Sequence, residues 1–221
     1  MYMGVLEGEG KERLESFIFE RMTDRGVPGI SIALLDGGEV CYKRGLGFRD
    51  FSLNTSTTPR TTYCIGSVTK PFTALAVMQL HEEGLLGLDD PIEEYVPIKV
   101  RPMGERILVR HLLSHSSGLP SLGYASATLS TVTEISDVWY PISNPQDLLV
   151  FMAGADDWAI SKPGGHYAYL NAGYILLGLI IEKASGEGYA EYIKGHILDP
   201  LGMERSTFSE EDVEEDDDVA T

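Results

Sequence analysis

The sequence predicts an α+β fold, a mainly helical lobe beside an antiparallel sheet. Three observations carry this prediction: a hairpin pattern near the N-terminus, apolar stretches of helical period behind it, and the composition of a globular chain. Of 221 residues, 43% are hydrophobic and 23% charged, as in folded domains and unlike disordered or fibrous chains. A chain of this length suits one large domain or two lobes sharing a core.

Leu14, Phe17, Ile18 and Met22 recur on one helical face and predict an amphipathic helix over 11–25. Residues 29–35 (GISIALL), a turn at Asp36-Gly37-Gly38 and residues 39–45 (EVCYKRG) predict a β-hairpin, with β-branched runs flanking a glycine turn. Residues 50–60, rich in Ser, Thr, Asn and Pro, read as a loop. The stretch IGSVTKPFTALAVMQLHEEG from Ile65 then predicts a helix that ends near Gly84, a residue suited to a helix C-terminus. Its apolar character points to a buried helix with Lys70 at its mouth.

Shorter helices are predicted at 92–95, 109–113 and 145–152, between clusters of Pro, Gly and Ser. Residues 171–185 (NAGYILLGLIIEKAS) predict a strongly apolar helix with Asn171 as its N-cap, and 189–197 a shorter one. The expected organisation is a helix and hairpin over 1–50, a mainly helical lobe over 51–208 that carries the candidate site, and an acidic tail over 209–221. That tail, SEEDVEEDDDVAT, holds eight acids and no base and predicts a solvated or disordered terminus.

The net charge of −17, from 34 Asp and Glu against 17 Lys and Arg, repels nucleic acid and anionic lipid, so neither is an expected partner. The first residues are acidic where a signal peptide needs a basic start and an apolar run. No stretch reaches the roughly 18 apolar residues of a membrane span. The expected location is cytoplasmic, and Cys41 and Cys64 are expected to remain reduced.

Ser67 and Lys70 lie three apart at the start of the long helix, so a helix of about 3.6 residues per turn puts them on one face with the amine within reach of the hydroxyl. Free backbone N–H groups and the positive dipole end favour an oxyanion forming there. The pair also fits a capping serine followed by a solvent lysine. Tyr169 and Asn171, two apart in the approach to the apolar helix, project to the same side if that approach is extended.

IGSVTK, HLLSHSSGLPSLGYA and Tyr169-Leu170-Asn171 with GYILLGLIIEKASG behind it together resemble the serine β-lactamase and penicillin-binding protein superfamily. The likeness covers residues 11–208 and is closer to class C β-lactamases, D-aminopeptidases and related esterases. The N-terminal helix, the hairpin and RPMGERILVRHLLSHSSGLPSLGYA are similar to an archaeal penicillin-binding protein homologue that acts as a peptidase. The resemblance implies a β-lactamase/transpeptidase-like fold. It implies Ser67 as the acylated nucleophile, Lys70 as its proton partner, Tyr169 as base or proton shuttle, and Asn171 as the residue that holds a substrate amide. It implies no cofactor and no metal, a small-molecule or short-peptide substrate and, by likeness to the archaeal relative, a possible homo-oligomer.

Energetics leave the base open. At pH 7, neutralising an ordinary lysine costs about 4.6 kcal/mol and ionising an ordinary tyrosine about 4 kcal/mol. A cation beside a phenol lowers the phenol's pKa while the phenolate retains the amine's proton, so the two are expected to titrate as one pair. The family's third motif, Lys-Thr-Gly or His-x-Gly on a strand, does not follow Tyr169 in this sequence. The expectation is therefore the N-terminal part of a longer protein, with C-terminal sheet strands missing.

Three functions fit: a D-amino-acid peptidase, an esterase with the same site, or a silent binding module. A β-lactamase proper fits less well, because no export signal precedes the chain.

His111 and His115, four apart, lack the glutamate of HExxH and a third ligand, and read as structural histidines. Asp89-Asp90-Pro91 with Glu93-Glu94 reads as an acidic helix start. GxSxG is absent, which removes the α/β-hydrolase elbow as a source of the nucleophile. Trp139 and Trp158 read as packing aromatics, with a substrate cleft as the alternative.

Overall fold

The computed structural model describes residues 6–121, 144–152 and 154–220. Contacts divide the chain into two compact units, Met1–Ile65 with Arg205–Thr221, and Gly66–Glu204.

In the first unit, helix α1 (Gly8–Arg25) buries Ile18 and Met22 and ends at Gly26, whose left-handed φ of 63° returns its N–H to the last turn. Phe17, expected on the inner face, instead lies exposed under the Arg21 guanidinium, 5.2 Å from the ring centre. Strand β1 (Gly29–Asp36) pairs antiparallel with β2 (Glu39–Asp50), and β2 with the short β3 (Thr55–Ser56). The sheet is thus longer than the expected hairpin and takes its third strand from the stretch read as a loop. Gly29 sits where the sheet folds closely on itself: a Cβ there would lie 2.2 Å from the Phe48 carbonyl oxygen.

The acidic terminus is not the solvated or disordered tail expected from its charge. Ser209 caps a short helix, Glu210–Glu215, by accepting the Asp212 N–H at 3.1 Å, and three acids in its first turn suit the positive dipole end. Beyond it Thr62 and Val219 form a parallel bridge, with the Thr62 N–H donating to the Asp218 carbonyl at 2.8 Å. The carboxylate of Asp218 accepts from Thr58 and Thr61 and pairs with Arg49 at 3.3 Å; Asp216 pairs with Arg205 at 2.7 Å. Charge counting misses this because Arg49 and the threonine hydroxyls lie far away in sequence, although Arg205 is only 11 positions from Asp216.

Both carboxyls titrate below the usual range. Asp216 is lowered first by the Asp218 N–H, then by Thr62 and Arg205. At Asp218 burial pushes upward, but the hydroxyls of Thr58 and Thr61 and the Arg49 and Arg205 charges outweigh it. A carboxyl held low adds stability that is complete above its unfolded pKa of about 3.9 and is lost as pH falls through the folded value. Asp218→Asn is therefore expected to lower the melting temperature near neutral pH. The melting curves of native and variant protein should then converge as pH falls below the ordinary carboxyl value of about 3.9; parallel curves would show that the Asp218 charge contributes nothing.

The second unit is helical. A 3-10 turn, Gly66–Val68, leads into α2 (Thr69–Glu82), followed by α3 (Val109–Leu113), α4 (Asp147–Met152), α5 (Asn171–Ser185) and α6 (Tyr189–Ile193), which runs on as a π turn over Lys194–Leu198. Its core joins Ala76, Val77 and Leu80 of α2 to Leu176, Leu177 and Ile180 of α5, all fully buried. The other face of α2 leaves Leu75 and Met78 exposed, so that helix is buried along one side only. Trp158 is 49% exposed and does not join the core; Trp139 lies outside the described residues. Among the described residues no helix is long and apolar enough to cross a membrane.

Candidate active site

Two helix starts build the site. The Gly66–Val68 turn presents Ser67 one turn ahead of Lys70 in α2; the segment before α5 delivers Tyr169, and the first residue of α5 is Asn171. The Ser67 hydroxyl lies 2.8 Å from the Tyr169 phenol oxygen. Lys70 Nζ donates to Ser67 Oγ at 3.0 Å and to Asn171 Oδ1 at 2.9 Å, and stands 4.9 Å from the centre of the Tyr169 ring and 5.5 Å from that of Tyr174. All four residues singled out in the sequence therefore meet, although about a hundred positions separate the two pairs.

Asn171 does not act as the expected N-cap. It is the first residue of α5, Leu170 occupies the cap position, and no side chain caps the helix. Its amide is drawn to the Lys70 amine instead, a partner that local sequence does not reveal.

The Tyr169 phenol is 39% exposed and titrates below its ordinary value. The Lys70 side chain is the main cause and the Ser67 hydroxyl the second; both favour the phenolate more than burial disfavours it. A cavity of about 330 Å³ opens beside the serine, lined by Ser67, Lys70, Thr73, Asn171, Tyr174 and Leu179. Thr73 and the Tyr189 hydroxyl, 2.7 Å apart, tie α2 to α6 at its wall. The arrangement offers a hydroxyl, an adjacent proton acceptor, a cation and an amide around one open space, the elements of nucleophilic acyl transfer.

His115, which the sequence presents only as a structural histidine, belongs to this cluster. Its backbone is left-handed (φ 52°), a region in which His is enriched among non-glycine residues. Its carbonyl accepts the Ala168 N–H at 2.8 Å and its Nδ1 accepts the Leu170 N–H at 3.1 Å. Its ring centre lies 4.4 Å from that of Tyr169 and 5.0 Å from that of Tyr174. Burial, then the Lys70 charge, push its pKa down. His111, by contrast, faces its own helix start, accepting the Leu108 N–H at 3.1 Å. Among the described residues no group of three or more His, Cys, Asp or Glu side chains is arranged to hold a metal ion.

The Beta-lactamase family profile matches residues 14–221. Among solved structures, the octameric penicillin-binding protein homologue from Pyrococcus abyssi is 54% identical with a TM-score of 0.86, over 95% of this chain and 47% of that one. EstCE1, a hydrolase with promiscuous acyltransferase activity, is 27% identical with a TM-score of 0.78, over 96% of this chain and 55% of its own. SurE with D-Leu is 30% identical with a TM-score of 0.68, over 89% of this chain and 41% of its own. The chain thus spans about half the length of these relatives.

Proposed function

The chain belongs to the Beta-lactamase family, a family of serine hydrolases, and on that premise we propose that it cleaves small amides or esters through an acyl-enzyme on Ser67. The observation that carries the proposal is the 2.8 Å contact between the Ser67 and Tyr169 oxygens with Lys70 bonded to the same serine. As the Ser67 oxygen bonds to the substrate carbonyl carbon, its proton passes to the Tyr169 oxygen. The tetrahedral intermediate then breaks its bond to the leaving group, which takes that proton. Water attacks the ester by the same route in reverse and frees the serine. Lys70 steadies negative charge on the phenol, and the backbone at the start of α2 favours the oxyanion. With Oδ1 turned to Lys70, the Asn171 amide N–H groups remain for a substrate carbonyl.

The substrate class we favour is a short peptide containing a D-amino acid. Likeness to a penicillin-binding protein homologue and to SurE, solved with D-Leu, supports it. The mixed apolar and hydroxyl lining of the cavity suits a small side chain. Likeness to the octameric relative supports a homo-oligomer.

The test is covalent labelling with a fluorescent penicillin or a fluorophosphonate, followed by mass mapping. An adduct on the Ser67 peptide is expected. Intact protein with no adduct would leave a silent binding module as the reading. Paired D-peptide and ester substrates then separate peptidase from esterase: faster turnover of the amide is expected, and turnover of the ester alone would overturn the peptidase assignment.

A further inference from the structure

We propose that His115 is a positioning residue for Tyr169, its backbone carbonyl and its neutral imidazole holding the backbone on either side of that residue and its ring stacking on the phenol so that the phenol oxygen stays on Ser67. The inference rests on the acyl-enzyme reading above and assigns a role to a side chain that does not itself line the cavity but packs on Tyr174, which does. Three separate contacts converge on one tripeptide, Ala168-Tyr169-Leu170. The His115 carbonyl holds the Ala168 N–H, Nδ1 holds the Leu170 N–H, and the ring covers the Tyr169 face. Tyr169 lies between the two held N–H groups and, in a segment without regular secondary structure, would otherwise be free to turn. Tyr174 of α5 packs against the same imidazole, which ties it to the helix that carries Asn171.

An Nδ1 that accepts an N–H has no proton of its own, so the ring must be the Nε2–H tautomer. Protonating Nδ1 would set two donors against each other at Leu170 and place a second positive charge beside Lys70. The ionisable groups packed on the ring are Lys70 from α2, the phenols of Tyr167 and Tyr169 from the segment ahead of α5, and Tyr174 within it. While Tyr169 is a neutral phenol, burial and then the Lys70 charge both oppose protonation of the ring.

The sign follows from the lowered pKa. Above about pH 6.5 the imidazole is neutral in folded and unfolded chains alike and does not affect stability. As pH falls from there towards the lower folded value, the unfolded chain binds the proton first and the folded site is weakened.

The experiment uses the whole chain, with the rate of Ser67 labelling by a fluorophosphonate followed against pH, in native protein and in His115→Asn. Asparagine tolerates the left-handed backbone and can accept the Leu170 N–H, but it neither stacks nor titrates. The variant is expected to keep its melting temperature and to label about 10-fold more slowly at pH 8, well short of the ~100-fold that a 1 Å misplacement can cost. Below the folded-state value of His115, which lies under its ordinary value of about 6.5, the native rate should fall with a slope steeper than one proton, from Tyr169 and His115 together. The variant should keep a slope of one.

Equal slopes, or an unchanged rate at pH 8, would overturn the proposal. A second readout does not depend on activity: nitrogen NMR of native protein should show His115 protonated at Nε2 only, and a proton on Nδ1 at neutral pH would refute the geometry. Absence of any Ser67 label would instead sink the acyl-enzyme reading, while the tautomer measurement still judges His115.

Discussion

Replacing Tyr169 by phenylalanine is expected to slow acylation of Ser67 by at least ~100-fold, the low end of what a positioned general acid–base contributes. The phenol oxygen is the group placed to take the serine proton, at 2.8 Å, and phenylalanine removes that atom alone. The ring that stacks on His115 and lies under Lys70 stays, so the fold and the position of the amine should survive, which a melting curve checks. The pH profile should change in a way a packing defect would not produce. Because Lys70 and Ser67 hold the phenol below its ordinary value of 10, native activity should climb with pH and level off below that value. In the variant that climb should disappear. A variant that labels at nearly the native rate would mean that Tyr169 is not the base.

Much of this site was legible in the sequence because its parts obey local geometry. Ser67 and Lys70 fall on one face by helical period alone, and Tyr169 and Asn171 share a side through their spacing of two. The boundaries of α3 and α5 follow from local pattern as well, with a break at each end. What stayed hidden depends on partners distant in the chain. Asn171 looks like a cap until Lys70, 101 residues earlier, takes its oxygen. His115 looks structural until its ring is found against residues more than fifty positions later. Asp216 and Asp218 look like solvated acid until Thr58, Thr61, Thr62 and Arg49, all more than a hundred and fifty positions earlier, close around them. In each case the partner is one that periodicity cannot supply.

Lys70→Ala is expected to cost at least ~100-fold in the same assay, and for a reason that differs from Tyr169→Phe. The amine binds Ser67 and Asn171 directly and lies over the faces of Tyr169 and Tyr174, so its removal frees the serine rotamer, releases the substrate amide holder and takes away the main influence that lowers the phenol pKa. The rise of activity with pH should therefore remain but move to higher pH, whereas in Tyr169→Phe it is lost. The double variant decides whether the two act as one device. If Lys70 works through the phenol, the combined loss should be little greater than either single loss, since groups that act as a unit are strongly non-additive. Independent action would multiply two ~100-fold losses into roughly 10⁴-fold. That result would leave Lys70 as a separate contributor at the serine and would dissolve the coupled pair on which the proton route depends.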